Sequence, residues 1–171
     1  MDLKLRELTL KNEILQTYKI YKHCMFMPTE EKFDNKVFTH YKGRQDYSFI
    51  KEQLAQADIV LHVESFENSQ ILKTKYSFST KIIDGLQSGS VLLAIGPKEV
   101  ASIRYIQKIP GTYVISDIEK INQELDSVFG NSHEYVDRAE KIRQYAEEYH
   151  DSKENSKKTE ETLKSIIGGK L

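Results

Sequence analysis

The sequence predicts an α/β fold, a Rossmann-like open, mainly parallel sheet with helices on both faces. Two compact apolar runs, Asp58-Ile-Val-Leu-His-Val63 and Val91-Leu-Leu-Ala-Ile95, have strand length and the composition of strands buried on both faces. Segments with apolar residues at three- and four-residue spacing lie between and after them. Strands alternating with helices imply right-handed crossovers and a sheet covered on two sides. In such sheets ligands bind beyond the carboxyl ends of the strands.

The elements follow in order. In the first twenty residues Leu3, Leu5, Leu8 and Leu10 partly fit a strand, whereas Ile14, Leu15 and Tyr18 fit a helix. His23 to Met27 and Lys36 to His40 are short strand-like runs, the second closed by Lys42-Gly43. Asp46 is placed to cap a helix through Ala57 that carries Ile50, Leu54 and Ala57 on one face. After the Asp58–Val63 strand, Ser65 to Lys75 is polar and reads as a loop. A helix then runs to Ser88, with Gly89 as its stop. Gly96-Pro97 ends the Val91–Ile95 strand, and the proline suits the first turn of a helix carrying Val100, Ile103 and Ile106. Tyr113 to Ile115 is a short strand. Asp117 is placed to cap a helix with Ile118, Ile121, Leu125 and Val128 in register, and Asn131 with Glu134 forms a capping-box pattern for the next one. Tyr135, Ala139, Ile142, Ala146 and Tyr149 share one stripe of that helix. Residues 151–171 are strongly charged, with Leu163, Ile166 and Ile167 as a small apolar face. The expected division is therefore a Rossmann-like domain over residues 1–150 and a charged C-terminal helix or tail over 151–171.

Composition narrows the class. The chain has 171 residues, 39% hydrophobic and 30% charged, which suits one domain with a proper core and argues against wholesale disorder. Basic and acidic residues number 25 and 26, so no basic excess points to nucleic acid. Cys24 is alone and makes no intrachain disulfide, which favours a reducing compartment. No apolar run reaches the ~20 residues of a membrane span and no signal-peptide core opens the chain, so a cytoplasmic location is expected. The five histidines, His23, His40, His62, His133 and His150, show no metal spacing among themselves or with Cys24, and no metal is expected. His62, inside an apolar strand, reads as a satisfied core or rim residue. The ten tyrosines read as amphipathic packing.

The stretch richest in chemistry is Tyr76-Ser-Phe-Ser-Thr-Lys81, between a loop and a helix. Unpaired N–H groups at a helix start and the helix dipole favour an anion. Ser77, Ser79 and Thr80 add hydroxyl donors and Lys81 a point charge. The same residues serve equally as a plain helix cap beside a solvated lysine. Asp84, one turn on, has the acceptors a ribose or sugar needs, or is a solvated helix residue.

The run from Ser77 through Lys81, Asp84, Ser88-Gly89 and Val91–Ile95 to Gly96-Pro97, with Ala101-Ser102 after it, resembles the donor-binding segment of GT-B glycosyltransferases, the bacterial branch of family 4 above all. Ala57-Asp58-Ile-Val-Leu-His-Val-Glu64 matches that family's preceding strand, and the resemblance covers residues 37–129. It implies that Ser79, Thr80 and Lys81 hold the diphosphate of a UDP- or GDP-linked sugar, which is a substrate and not a resident cofactor. It places Asp84 on the ribose hydroxyls, Gly43 and Arg44 near the base, and Glu64 and Ser65 near the sugar.

Some positions depart from the family. Its two glutamates flanking a seven-residue gap are Tyr76 and Asp84 here, and Gly85 replaces a larger residue. The sugar-contacting carboxylate of that pair is thus missing. The resemblance implies one half of a GT-B enzyme, expected to begin after the usual glycine-rich first loop. No catalytic residue is assigned. The resemblance implies a donor-binding half of a polysaccharide-building enzyme that moves a hexose to a glycan or lipid-linked acceptor and is inactive alone. It implies as partner an N-terminal acceptor-binding domain or a separate chain, which would bring the protein to the inner face of the membrane. Two other readings stand beside it: a non-catalytic α/β interaction module, and a nucleotide-sugar epimerase-like domain.

Overall fold

A computed structural model describes residues 20–23, 39–43 and 45–168. Leu3 through Tyr18, Cys24 through Phe38, and Arg44 lie outside the described residues.

The elements run β1 (Ile20–His23), β2 (Thr39–Gly43), α1 (Tyr47–Gln56), β3 (Ile59–Val63), α2 (Asn68–Thr74), α3 (Lys81–Leu86) and β4 (Val91–Ile95). Then come α4 (Ala101–Ile106), β5 (Tyr113–Ile115), α5 (Ile121–Gly130), a 3-10 turn (Ser132–Glu134), α6 (Tyr135–Tyr149) and α7 (Ser152–Gly168). β1 pairs with β2, and β4 lies between β3 and β5. All of these pairings are parallel, with His62 opposite Ala94 and Ile95 opposite Ile115. The fold is the expected α/β type, a mainly parallel sheet flanked by helices.

Strand β4 explains why the chain packs as it does. Its five residues are all buried, and alternation sends them to two cores. Leu92 and Ala94 join Ile82 and Leu86 of α3, Ile103 and Ile106 of α4, and Ile142 and Ala146 of α6. Leu93 and Ile95 join Ile115 with Ile121, Leu125 and Val128 of α5 on the other face. Burying each Leu or Ile side chain contributes about 1.5–3 kcal/mol, so β4 anchors both layers. Gly85 lets α3 come close to the sheet, since a Cβ there would stand 3.3 Å from both Leu92 and Val60.

Several expectations need correction. β1 reaches back to Ile20, and β2 continues through Lys42-Gly43, where a closing turn was expected. β3 is only half-buried and Leu61 is exposed, because among the described residues β3 pairs with β4 alone, whereas β4 has a strand on each side. Ser65–Lys75 is not all loop. It contains α2, which the Ile71 side chain fastens to the core. One apolar anchor in seven residues gives no period to read.

The capping expectations also shift. Asp46 occupies the N-cap position of α1 without a side-chain bond. Asp117 accepts the N–H of Glu119 at 3.0 Å in a turn, and α5 starts later, at Ile121. Asn131 Nδ2 donates to the Ser127 carbonyl at 2.7 Å and closes α5, while Glu134 reaches forward to Arg138 at 2.9 Å, so no capping box forms. Gly89 does turn the chain after α3, at φ +81°.

Residues 151–168 are an exposed helix. Asp151 Oδ1 accepts the N–H of Glu154 at 2.8 Å, and ion pairs such as Lys164–Glu160 line the surface. No residue of α7 is buried.

Candidate functional site

The parallel order fixes which side of the sheet can hold a ligand. β3 ends at Val63 and β4 at Ile95, and their register brings the two ends together. The N–H of Glu64 donates to the Ile95 carbonyl at 2.8 Å, and that of Gly96 to Ile115 at 3.0 Å. Helix α3 runs back towards the start of β4, so its own start, Lys81, faces the carboxyl edge. Two bonds tie that edge to α4: Ala101 N–H to the Lys75 carbonyl at 2.9 Å, and Ser102 Oγ to Glu64 Oε1 at 2.7 Å.

The Ser77–Lys81 run is therefore at the carboxyl edge. The Ser77 N–H donates to Thr74, and the first bonded amides of the next turn are Ile82, to Ser79, and Ile83, to Thr80. The amides of Phe78 through Lys81 have no backbone acceptor among the described residues. No side-chain hydroxyl caps α3, so Ser79 and Thr80 keep theirs. α3 has only six residues, and its dipole adds little. Lys81 is exposed and forms no ion pair with a described residue. Phe78 packs edge-on against Tyr105, ring centroids 5.0 Å apart, which steadies the loop from behind. Tyr105 in turn bonds His150 at the end of α6.

Asp84 sits in the first turn of α3, and its Oδ1 accepts the Tyr47 hydroxyl at 2.9 Å. That bond holds the Tyr47 phenol above its ordinary range, with the carboxylate's charge acting in the same sense. Tyr47 opens α1, shortly after Gly43 at the end of β2, so its bond to Asp84 ties α1 to α3.

Glu64 is half-buried immediately after β3. Its Oε1 meets both Ser102 Oγ and His62 Nε2, the latter at 3.2 Å. Burial lowers the His62 pKa below the usual histidine value, and Glu64 offsets part of the shift. His62 Nε2 is bonded to the Glu64 carboxylate, so His62 is the satisfied rim residue its strand position suggested. Ser65 Oγ accepts the Glu67 N–H at 3.2 Å, a local turn that leads into α2. Among the described residues no group of three or more His, Cys, Asp or Glu is arranged to hold a metal ion. No helix among them is long and apolar enough to cross a membrane.

Glu64 and Ser65 follow the carboxyl end of β3, Ser79 and Thr80 lead into Lys81 at the start of α3, Asp84 lies in the first turn of α3, and Gly43 ends β2 in the two-stranded sheet. Sequence reading assigned no role to Tyr47 or Ser102. Tyr47 is 37 residues from Asp84, and no local pattern links them. Ser102 left a faint signal as the one hydroxyl residue amid Val100, Ile103 and Ile106.

Strand order and layers together describe a Rossmann-like α/β fold, parallel strands flanked by helices. Among solved structures the chain is similar to WaaG, a glycosyltransferase involved in lipopolysaccharide biosynthesis, with a TM-score of 0.61 and 17% identity. The match covers 84% of this chain and 39% of that one, so the chain spans well under half of that enzyme. At this identity the likeness establishes the fold alone. No protein-family model and no curated protein matches the sequence.

Proposed function

We propose that this chain is the donor-binding half of a GT-B glycosyltransferase and takes a UDP- or GDP-linked hexose. One observation supports the reading: in a fold shared with part of a glycosyltransferase, two hydroxyls, unpaired amides and a lysine lead into α3 at the carboxyl edge, with Asp84 in its first turn. Ser79, Thr80 and Lys81 hold the diphosphate, and Lys81 offsets negative charge as the diphosphate leaves. Asp84, already turned by Tyr47, keeps Oδ2 for the ribose hydroxyls. Gly43 and Arg44 flank the base, and Glu64 and Ser65 the sugar. An N-terminal domain or a separate chain supplies the glycan or lipid-linked acceptor in line with the anomeric carbon. That partner carries the contact with the cytoplasmic face of the membrane.

A calorimetric titration of the 171-residue chain with UDP and GDP, followed by amide chemical shifts, tests this. Binding in the high micromolar to millimolar range is expected, because half of the site comes from the partner. Lys81→Ala loses a charge-assisted bond to an exposed cation and weakens binding about tenfold. If millimolar UDP and GDP move no amide between Gly43 and Asp84, the donor site does not exist. The interaction-module reading, which the exposed Leu163, Ile166 and Ile167 of α7 favour, then takes its place.

A further inference from the structure

Phe78, Tyr105, Tyr145 and His150 form one cluster of rings, and Tyr105 of α4 is the member that touches the other three. Phe78 meets it edge-on, ring centroids 5.0 Å apart at 83°. The His150 imidazole meets it at 5.9 Å and 76°, and Nε2 bonds the Tyr105 hydroxyl. Tyr145 of α6 donates its hydroxyl to the Tyr105 oxygen at 3.4 Å. Tyr105 and Tyr145 both pack against the core that Leu92 and Ala94 of β4 enter. The cluster therefore links the Ser77–Lys81 run, through Phe78, to the end of α6.

His150 stands between α6 and α7. Its N–H donates to the Ala146 carbonyl at 2.8 Å, and its carbonyl accepts Gln87 Nε2 at 3.2 Å. The backbone is thus held, and the ring is the part able to turn. The ring is half-buried, and burial lowers its pKa with no charged group acting to offset this. The titratable side chains that face it are Tyr105 from α4 and Tyr145 from α6, both phenols. Tyr149 packs against Tyr145 at 4.6 Å, and Asp151, next in the chain, spends Oδ1 on the Glu154 N–H. From α3 comes the neutral Gln87 amide.

A charge in such a place is unfavourable without a counterion. An imidazolium regains its hydration by turning out to water, which breaks the bond to Tyr105. The Tyr105 hydroxyl then keeps only the Tyr145 contact, longer than a good O–H···O bond. The amides of Phe78 through Lys81 have no backbone acceptor among the described residues, so the run depends on the Phe78 ring for its hold on α4.

We propose that His150 is a pH-sensitive latch: neutral, it holds Tyr105 against Phe78 and keeps the Ser77–Lys81 run ordered; protonated, it turns out and lets the run loosen. The latch rests on the aromatic cluster and not on any ligand, so it stands or falls apart from the donor-binding reading.

The test is a magnetic-resonance titration of the full 171-residue chain from about pH 7.5 to 5. The imidazole signal missing from His150→Gln marks His150 among the five histidines. Amides of Phe78 through Lys81 are expected to shift with that signal's midpoint, below the ordinary histidine value of about 6.5, and those of Val91–Ile95 to stay in place. His150→Gln loses the loop shifts. In Tyr105→Phe, which deletes the hydroxyl and keeps the ring, and in Phe78→Leu, which removes the ring contact, His150 still titrates but the loop no longer follows it. Should Tyr105→Phe fail to fold, Phe78→Leu carries the comparison, since Phe78 is 43% exposed. Loop amides that stay put, that follow another histidine's midpoint, or that still shift in His150→Gln overturn the latch. So does movement of the loop and Val91–Ile95 together, which is unfolding.

Discussion

Gly96→Ala probes how tightly the carboxyl edge is built. The added Cβ would lie 2.7 Å from Glu64 Cβ and 3.0 Å from Ile103 Cδ1. Glu64 Cβ cannot rotate away, because it is bonded directly to a backbone that donates to Ile95. Ile103 is fully buried among Leu92, Ala94 and Ile142 and has little space to retreat. Relief therefore requires the ends of β3 and β4 to part, or α4 to lift. Overpacking of this kind costs about 1–3 kcal/mol. For a chain of this length that lowers the melting temperature by about 3–9 °C. Thermal unfolding followed by circular dichroism measures it. Gly130→Ala, at the end of α5 with no atom within 4 Å of the new methyl, is the control and is expected to leave the melt in place or raise it slightly. If Gly96→Ala melts within about 1 °C of the parent, the contact between the strand ends is not as tight as the geometry requires.

Three further outcomes are expected. Asp84→Asn keeps an acceptor for Tyr47 and so leaves the melt nearly unchanged, but it weakens UDP more than 2′-deoxy-UDP; equal losses would place Asp84 away from the ribose. His62 and His150 both have pKa values lowered by burial, His62 facing Glu64 and His150 facing Tyr105 and Tyr145. The unfolded chain then binds more protons, so their stabilisation is complete above the unfolded histidine pKa of about 6.5 and is lost as pH falls through the lowered folded values. Melts from about pH 7.5 to 5 are expected to fall, with a shallower slope in His150→Gln; an identical slope would remove His150 from the account. In hydrogen exchange, Thr159 to Ile167 of α7 is expected to exchange far faster than Val91–Ile95, because no α7 side chain is buried and ion pairs along one helix add only a few tenths of a kcal/mol each. Equal protection in a dilute monomer would mean that α7 belongs to the domain's core.

Hydropathy marked the α/β class and the burial of Val91–Ile95, and glycine marked the turn at Gly89. A buried strand needs an unbroken apolar run, and a helix end needs a residue that tolerates positive φ; both demands are local and leave their mark in consecutive letters. Capping was legible only as candidates. Asp117 and Asn131 have side chains that satisfy several nearby backbone groups, and which one each takes depends on where the packed helix starts. Helix α2 was hidden because its support is one contact of Ile71 with the core. Tertiary structure alone decided the site's pairings. Tyr47 with Asp84, and Ser102 with Glu64, are 37 and 38 residues apart and meet because parallel strands bring successive carboxyl ends to one edge. Whether a carboxylate is solvated or held by a buried hydroxyl is a property of that edge, because burial and bonding at Glu64 come from α4 and β4 and not from its neighbours in the chain.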